Sequence, residues 1–359
     1  MSVFFEISAS SGAYQVVIER GAFGRLLQPT EDRVVIADEY FVPQIEALGH
    51  KVIPIFAAET SKELARIPEI ISRLREMGAS RKTTLVAIGG GVVQDVAGFV
   101  ASVYMRGMPW IYMPTTLLGM ADSCIGGKSS INVGRYKNLV GTFYPPGQIS
   151  IDPELAATLS VEQRVAGLAE AAKIAYCRGE DAFSQYMAMG PTVHSETAAL
   201  TEAVQLSLGS KKWFIEVDEF DRGERLLLNF GHTFGHAIEA ASHFRISHGV
   251  AVAVGMLAAL KLGGELGRHY DTHNRVHALK GHVEELLGSV SELGAAAREM
   301  TLDDLMAAFE ADKKHSAGHY ALIVVREDGD VERLLMERTP RSAELVRAAF
   351  AGVLERFGS

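Results

Sequence analysis

Several polar side chains are spaced along the apolar segment that follows Gly223 in a pattern that could serve chemistry. Read as one helix, the segment places four of them at offsets of 0, 4, 7 and 11 and so on one face: Arg225, Asn229, His232 and His236. Burying a cation, an amide and two imidazoles is costly unless a metal ion or an anionic ligand pairs with them. The segment therefore predicts one wall of a binding site.

The histidines suggest a metal site with more than one possible ligand set. His232 and His236 have the spacing of joint ligands on one helical turn, and His248 with the Glu170 carboxylate would complete a set that zinc accepts. Glu170 and Lys173 lie three residues apart in an apolar helix, which is also the spacing of a surface ion pair. The alanines around them favour a buried pair that supplies a metal ligand and an acid/base group.

Two glycine-containing segments are suited to phosphate groups. Gly89-Gly90-Gly91 follows a strand pattern and precedes a helix pattern, so its backbone amides could approach a pyrophosphate, although a tight structural turn has the same composition. Gly126-Gly127-Lys128 and Lys137-Asn138 form a second cluster, in which ammonium groups lie beside exposed amides. A solvated loop is the alternative for this cluster.

The elements that must position these groups change character along the chain. Strand and helix patterns alternate in the first part, which predicts a Rossmann-like α/β domain with a mostly parallel sheet over residues 1–150. Helical periodicity dominates afterwards, with one continuous helix expected from Glu224 to Ser242, and predicts a mainly helical domain over residues 151–359. Ligands are expected at the carboxyl ends of the strands, facing a cleft between the domains.

Composition limits the class of protein. A chain of 359 residues exceeds what one hydrophobic core usually supports, and 48% hydrophobic with 22% charged residues is typical of a globular enzyme. The net charge of -9 argues against nucleic acid or an anionic membrane as a partner. Two cysteines, no signal-peptide pattern and no membrane-length apolar run predict a cytoplasmic protein. Cys124 is expected to be a small packed residue.

The motifs occur in an order that resembles one enzyme family, the 3-dehydroquinate synthases and related sugar phosphate cyclases. The similarity extends over roughly residues 35 to 325. The motifs that carry it are Gly89–Asp95, Tyr104–Gly107, Pro114–Leu117, Asp122–Lys128, Lys137–Gly141, Gly167–Lys173, Asn229–His236, His248–Val252 and Asp312–Lys314. So many motifs in a fixed order make the resemblance specific.

The resemblance implies a reaction with two cofactors, NAD and a zinc or cobalt ion. A sugar acid phosphate, 3-deoxy-arabino-heptulosonate 7-phosphate, would be converted to 3-dehydroquinate with loss of phosphate, a step of the shikimate pathway. NAD would be reduced and reoxidised within one turnover. The implied steps are oxidation of a hydroxyl, elimination of phosphate, reduction of the ketone, ring opening and aldol closure.

The resemblance also implies a role for each polar side chain. The metal ligands would be Glu170, His232 and His248. Groups for the substrate phosphate would be His236, Asn229, Lys128, Asn138, one lysine of the pair Lys313 and Lys314, and Arg106 from a neighbouring subunit of a homodimer. Groups for the substrate carboxylate and the reacting hydroxyls would be Lys211, Arg225, Asp122 and Lys173. NAD would be contacted by Asp38, Glu59, Lys62, Gly90, Gly91, Val92, Asp95, Thr115, Thr116, Lys137 and Thr158.

Four departures from the family pattern leave alternatives open. Gln94 stands where glycine is typical, Val250 where glutamate is typical, and Ser129 and Ser130 replace other small residues. The segment from Asn132 to Tyr136 lacks the usual proline and glycine. One alternative is a paralogous cyclase that acts on sedoheptulose 7-phosphate or forms 2-deoxy-scyllo-inosose. The other is a metal-dependent polyol dehydrogenase, which would not need the phosphate-binding cations.

Overall fold

The described residues of the chain fall into two compact units. The computed structural model describes residues 2–28, 30, 32–134 and 136–358, so that Arg135 lies outside the described residues. Unit 1 contains the described residues up to Leu159 together with Glu196–Val204 and Lys211–Phe220. Unit 2 contains Ser160–Ser195, Gln205–Ser210 and the described residues from Asp221 onward.

Unit 1 is an α/β structure. Its strands are β1 Val3–Ile7, β2 Tyr14–Ile18, β3 Arg33–Asp38, β4 Val52–Ile55, β5 Thr84–Gly89, β6 Trp110–Pro114, β7 Lys128–Val133, β8 Tyr136–Phe143 and β9 Gln148–Ile151. Its first helices are α1 Ala22–Leu26, α2 Val42–Ala47, α3 Ile67–Glu76 and α4 Gly91–Val103. Seven strands form one sheet in the order β1-β2-β9-β6-β5-β3-β4, and β7 pairs with β8 separately.

The sheet of unit 1 is parallel from β2 onward, and only the β1–β2 hairpin is antiparallel. The central strands β3 and β5 are almost continuously apolar and buried, as expected for parallel strands covered on both faces. The neighbouring strands β3, β5 and β6 therefore end at one edge, at Asp38, Gly89 and Pro114. The predicted fold class is confirmed for this part of the chain.

Unit 2 is mainly helical. Its elements are α5 Val161–Arg178, α6 Glu180–Met189, part of α7 Thr197–Val217, α8 His232–Ala241, α9 His248–Glu265, α10 Asn274–Gly288, α11 Leu293–Glu299, α12 Leu302–Glu310, β10 His319–Val325, β11 Val331–Glu337 and α13 Pro340–Gly358. A capping box between Ser160 and Gln163 starts α5. Among the described residues, no helix is both long and apolar enough to cross a membrane.

The prediction of one continuous helix from Glu224 to Ser242 is wrong. A 3₁₀ segment covers Glu224–Asn229, and α8 begins only at His232. Gly231 separates the two with a left-handed φ of 78°, and a Cβ there would lie 2.7 Å from the carbonyl oxygen of Val252. Only glycine accepts this combination of backbone conformation and close approach without strain. The polar groups before and after Gly231 therefore do not share one helical face.

Helices α8 and α9 pack through glycine. A Cβ added to Gly255 would lie 2.0 Å from the carbonyl oxygen of Gly231 and 2.7 Å from the amide nitrogen of Gly235. These neighbours are backbone atoms, which cannot move aside as the end of a flexible side chain can. The approach of the two helices therefore depends on the absence of a side chain at Gly255.

We expect Gly255→Ala to lower the free energy of unfolding by about 1–3 kcal/mol, because the added methyl overpacks the α8–α9 contact. Gly264 lies on the same helix, is exposed, and has no neighbouring atom within 4 Å of the place that a Cβ would take. Gly264→Ala is therefore the matched control and should stabilise the protein by up to about 1 kcal/mol through helix propensity. Urea unfolding of both variants measures the effect, and equal shifts would contradict the packing argument.

Candidate active site

Three side chains of unit 2 form a cluster with the chemistry of a metal site. Glu170, His232 and His248 each bring one possible ligand atom to within 4.8 Å of the others. Glu170 Oε1 lies 3.6 Å from His232 Nε2 and 3.9 Å from His248 Nε2. The Glu170 carboxylate is fully buried, and its other oxygen contacts the buried ammonium of Lys173. One carboxylate and two imidazoles form a donor set that zinc and cobalt accept.

The hydrogen bonds of both histidines direct their Nε2 atoms toward Glu170. His232 Nδ1 lies 3.3 Å from the carbonyl oxygen of Phe230, and His248 Nδ1 lies 3.0 Å from Glu239 Oε2. A carbonyl or carboxylate acceptor holds the proton on Nδ1, so the Nε2 lone pair remains for a metal ion. The residues present therefore fit a divalent ion.

The two histidines beside Glu170 differ in electrostatic surroundings. Burial, assisted by the charge of Lys173, lowers the pKa of His232 well below its usual value. Burial also acts to lower the pKa of His248, but the hydrogen bond and negative charge of Glu239 outweigh it and raise that pKa. Sequence reasoning missed the orienting role of Glu239. Its place one turn after His236 indicates only that it shares a helix face.

A close helix contact brings His248 to Glu170. A Cβ on Gly249 would lie 2.6 Å from Ala166 Cα, so the first turn of α9 rests directly on α5. Glu170 is one turn beyond Ala166 on α5, and His248 precedes Gly249. The sequence His-Gly at the start of α9 thus combines a ligand with the small residue that allows the approach.

His236 is not part of the metal-type cluster, which consists of Glu170, His232 and His248, and pairs with an aspartate instead. Its Nδ1 lies 3.0 Å from Asp312 Oδ2, and its ring centroid is 5.7 Å from that of His232. Burial would raise the pKa of Asp312, but the hydrogen bond with His236 and the charge of Lys314 lower it to about 2. The structure therefore groups His232 with His248 and Glu170, while His236 pairs with an ionised aspartate.

Of the two adjacent lysines, Lys313 and Lys314, it is Lys314 that lies near His236 and Asp312. Its Nζ is buried and has no hydrogen-bond partner within the described part of the chain, whereas Lys313 is exposed. Burial lowers the pKa of Lys314 to about 8, with the charge of Asp312 opposing the shift. Burial lowers the pKa of His236, the hydrogen bond with Asp312 opposes this shift, and the positive charge of Lys314 adds to it. A buried ammonium in this position is suited to an anionic ligand.

We expect the affinity for inorganic phosphate to fall as the pH rises above about 8, because Lys314 then loses its proton while phosphate stays a dianion. Lys314→Arg should remove this decline, since the guanidinium stays charged. Lys313→Arg, at the exposed neighbour, should leave it unchanged. Calorimetric titration of the metal-loaded protein with phosphate between pH 7 and 10 measures this affinity. An affinity that does not change with pH in the wild type would contradict the assignment of Lys314 to the phosphate site.

In unit 1, the start of α4 provides an approachable backbone. Gly90 precedes α4, and a Cβ there would lie 2.9 Å from Thr116 Cγ2, while no atom lies within 4 Å of the corresponding position on Gly91. Val92 lies in the same first helical turn. Exposed amides at the N-terminus of a long helix favour a pyrophosphate. Asp38 ends the neighbouring β3, a position suited to ribose hydroxyls, so this edge fits a dinucleotide.

A hydrogen-bonded network joins two residues that were predicted to contact NAD, Lys62 and Asp95, to Asn138, which was predicted to bind the substrate phosphate. The buried Lys62 places Nζ 2.7 Å from Asp95 Oδ2 and 2.8 Å from Asn138 Oδ1. The amide of Ser130 donates to Asp95 at 2.9 Å. Burial raises the pKa of Asp95, although Lys62 opposes this shift. Asn138 adopts a left-handed φ of 52°, which its contacts in the network maintain.

Glu59 connects to the same network through Asn132. Asn132 Nδ2 donates to Glu59 Oε1 at 2.7 Å, and Asn132 Oδ1 accepts from the Asn138 amide at 2.8 Å. Lys137 Nζ lies 3.8 Å from Glu59 Oε1. Asn132 is buried and was not predicted as a site residue. The sequence drew attention to Asn132 only as part of the segment from Asn132 to Tyr136, which departs from the family pattern.

Asp122, which is half-buried, and the buried Lys211 form an ion pair in unit 1. Asp122 lies in a π-helical turn, Gly119–Ser123, a form that is rare and frequent at functional sites. Lys211 Nζ lies 2.5 Å from Asp122 Oδ1 and donates to the Asp122 carbonyl at 2.7 Å. The pair offers a carboxylate and an ammonium held in fixed geometry. Cys124 follows this turn and is packed as expected, with burial raising its pKa to about 12.

The remaining predicted residues lie outside these clusters or have less specific surroundings. Arg106 is exposed at a left-handed turn with φ 67°, Lys128 is exposed at the start of β7, and Thr158 donates to the Leu155 carbonyl. In unit 2, Arg225 is buried and Asn229 donates to the Leu226 carbonyl. The amide of Thr115 donates to the Gly89 carbonyl at 3.0 Å, next to the dinucleotide edge.

Solved structures with the same architecture include sugar phosphate cyclases. A 2-deoxy-scyllo-inosose synthase complexed with carbaglucose-6-phosphate, NAD⁺ and Co²⁺ superposes with a TM-score of 0.83 at 22% identity, covering 96% of this chain and 99% of that chain. A 2-epi-5-epi-valiolone synthase from Streptomyces hygroscopicus subsp. jinggangensis 5008, with NAD⁺ and Zn²⁺ bound, superposes with a TM-score of 0.72 at 26% identity, covering 96% and 97%. The chain thus has a fold that these sugar phosphate cyclases share.

Sequence comparison identifies the family within this class. The pattern described as 3-dehydroquinate synthase N-terminal matches residues 52–166, and its C-terminal counterpart matches residues 167–315. The 3-dehydroquinate synthase of Dictyoglomus turgidum is 38% identical over 303 residues, which cover 84% of this chain and 81% of that protein. The chain belongs to the 3-dehydroquinate synthase family.

Proposed function

We propose that the protein converts 3-deoxy-arabino-heptulosonate 7-phosphate to 3-dehydroquinate and phosphate, with NAD and a zinc or cobalt ion as cofactors. One observation of unit 2 supports this function most strongly. The donor set of Glu170, His232 and His248 lies in the same cluster as the His236–Asp312 pair and the buried Lys314. A metal-dependent polyol dehydrogenase needs the first group of residues, but it has no phosphate to bind with the second.

The metal-type cluster would hold and orient the hydroxyl to be oxidised. When bound, NAD accepts and returns a hydride, and the divalent ion polarises that hydroxyl as a Lewis acid. Glu170, His232 and His248 hold the ion, and Glu239 fixes the ring of His248 through its Nδ1 proton. Lys173 keeps the buried Glu170 carboxylate ionised by contact with its second oxygen.

Polar residues of each unit would bind the substrate at its two anionic ends. Lys314 and His236 supply a positive charge and a hydrogen-bonding imidazole for the phosphate, with Asn229, Lys128 and Asn138 as further donors. Lys211 and Arg225 each offer a buried cation for the carboxylate. Asp122, whose carboxylate is paired with the Lys211 ammonium, can accept a hydrogen bond from a reacting hydroxyl and relay its proton. Elimination then requires mainly correct positioning of the substrate.

The dinucleotide would lie along the edge of the unit 1 sheet. The first turn of α4 would meet the pyrophosphate with the amides of Gly91 and Val92. Asp38 would accept hydrogen bonds from ribose hydroxyls. This arrangement favours NAD over NADP, because the carboxylate would repel the additional phosphate of NADP. Thr115 and Thr116 line the same turn, and the network around Lys62 and Asp95 continues from it. Glu59, Lys137 and Thr158 complete the proposed cofactor contacts.

A panel of substrates tests the proposed function. Metal-loaded protein with NAD is offered 3-deoxy-arabino-heptulosonate 7-phosphate, sedoheptulose 7-phosphate, glucose 6-phosphate and glycerol, and the release of phosphate and formation of NADH are followed. Phosphate release from the heptulosonate alone is the expected result. Release from another sugar phosphate would indicate a paralogous cyclase, and NADH accumulation with glycerol would indicate a dehydrogenase.

We further propose a cytoplasmic homodimer as the active form. Arg106 is exposed on a left-handed turn of unit 1 and would complete the phosphate site of the neighbouring subunit. Cys124 and Cys177 are free and buried thiols, which suits a reducing compartment. Sedimentation equilibrium should give about twice the chain mass of 38.8 kDa. Loss of phosphate affinity in Arg106→Ala without loss of the dimer would support its role.

A further inference from the structure

Gln94 links two parts of unit 1 that the proposed function requires. It lies in the first turn of α4, and its own amide donates to the Gly90 carbonyl at 3.0 Å. Its side chain is buried and reaches Ser123, at the end of the π-helical turn that carries Asp122. The residue thus spans from the dinucleotide turn to the Asp122–Lys211 pair.

The contact between Gln94 and Ser123 consists of two reciprocal hydrogen bonds. Gln94 Nε2 donates to the Ser123 carbonyl at 2.7 Å, and Ser123 Oγ donates to Gln94 Oε1 at 2.7 Å. Carbonyls at the end of a helix have no hydrogen-bond partner within that helix. The side-chain amide of Gln94 provides a partner for one of them, the Ser123 carbonyl at the end of the π-helical turn. The Gln94 side chain is buried and Ser123 is half-buried, so loss of one partner leaves the polar groups of the other poorly compensated.

This geometry fixes the position of Asp122 relative to α4. Ser123 follows Asp122 directly, and the Asp122 carbonyl and carboxylate are both held by Lys211. The turn is therefore held on one side by Lys211 and on the other by Gln94. A glycine at position 94 would leave the Ser123 carbonyl and hydroxyl without these partners. Catalytic groups displaced by a fraction of an ångström lose much of their effect.

We infer that Gln94 is a positioning residue for the proposed reaction, which sets the carboxylate of Asp122 relative to the glycine turn before α4 by holding Ser123. The inference rests on the proposed function, and it concerns a side chain that family resemblance assigns no role. Gln94 itself contacts neither substrate nor cofactor in the proposed reaction. Its effect should appear in kcat rather than in the affinity for NAD.

Two substitutions of Gln94 separate hydrogen bonding from packing. Gln94→Met keeps the side-chain volume and removes both hydrogen bonds, whereas Gln94→Gly removes the side chain altogether. Both should lower kcat about tenfold while the Kd for NAD stays within about twofold. Ser123→Ala should lower kcat less, because the Ser123 carbonyl still accepts from Gln94. Ser102→Ala, elsewhere on α4, is the control and should match the wild type.

Hydrogen exchange measured by mass spectrometry gives a readout that does not depend on the substrate. Amides of residues 119–126 should exchange about tenfold faster in Gln94→Met and Gln94→Gly than in the wild type or Ser102→Ala. The double variant Gln94→Met/Ser123→Ala should exchange no faster than Gln94→Met alone, because the two residues act through one contact.

The possible outcomes distinguish this inference from the proposed function. An active wild type with reduced kcat and faster exchange in the Gln94 variants supports both. An active wild type with unchanged kcat and exchange in the variants overturns the positioning role alone. A wild type without turnover, but with faster exchange in the variants, overturns the proposed reaction while the link to the Asp122 turn stands. No turnover and unchanged exchange overturn both.

Discussion

His232→Ala is expected to remove metal binding and turnover together. The substitution takes away an Nε2 donor that lies 3.6 Å from Glu170 Oε1 and leaves two ligands, too few to hold a divalent ion firmly. We expect kcat to fall at least about a thousandfold, a loss of about 4 kcal/mol of transition-state stabilisation. Metal content by plasma mass spectrometry and kcat on the heptulosonate phosphate are measured on the same preparation.

Two further variants make this result specific. His194→Ala removes an exposed histidine of the same unit and should leave metal content and kcat unchanged. Glu170→Gln should lose metal and should also lower stability, because the buried Lys173 ammonium would lose the negative charge of Glu170 beside it. A His232→Ala protein that retains one equivalent of metal and full activity would contradict the assignment of the cluster as the metal centre.

Lys211→Met should have the second-largest effect, a fall of kcat/KM by about a hundredfold or more. Lys211 is buried and holds both the carbonyl and the carboxylate of Asp122, so its loss takes an ammonium away from a partly buried carboxylate and removes a proposed substrate contact. Both kcat and KM should change, because the residue has these two roles. Steady-state kinetics with the heptulosonate phosphate measures the effect.

The neighbouring lysine provides the matched control for this prediction. Lys212 pairs with Glu216 on the surface, and such pairs contribute at most about 1 kcal/mol to stability. Lys212→Met should therefore keep kcat/KM within about twofold of the wild type. Equal losses in both variants would show that the effect is a general loss of positive charge from α7 and not the loss of the Asp122 contact.

Periodicity and motif order predicted the fold more completely than the local geometry of the site. The buried strands β3 and β5 and the glycine turn before α4 carry strong local signals, and the structure confirms the predicted α/β and helical parts. The break at Gly231 was missed because the apolar pattern continues across it. Its left-handed conformation depends on contact with Val252 of α9, which is distant in sequence.

The partners of the site residues were beyond sequence reasoning for the same physical reason. Spacing on one helix favoured His232 and His236 together, but the grouping of Glu170, His232 and His248 is decided by which helices approach closely, here α5 and α9 through Ala166 and Gly249. Likewise, the identical residue types of Lys313 and Lys314 gave no basis for choosing between them. Only the burial of Lys314 beside the histidines distinguishes the two.

The most direct test of the proposed reaction is the stoichiometry of its products. Metal-loaded protein with NAD well below the substrate concentration is given 3-deoxy-arabino-heptulosonate 7-phosphate, and phosphate, 3-dehydroquinate and NADH are quantified at completion. We predict one phosphate and one dehydroquinate for each substrate consumed and no net NADH, with many turnovers per NAD. Product limited to the amount of NAD, with equivalent NADH, would contradict the proposed reaction and indicate a simple dehydrogenase.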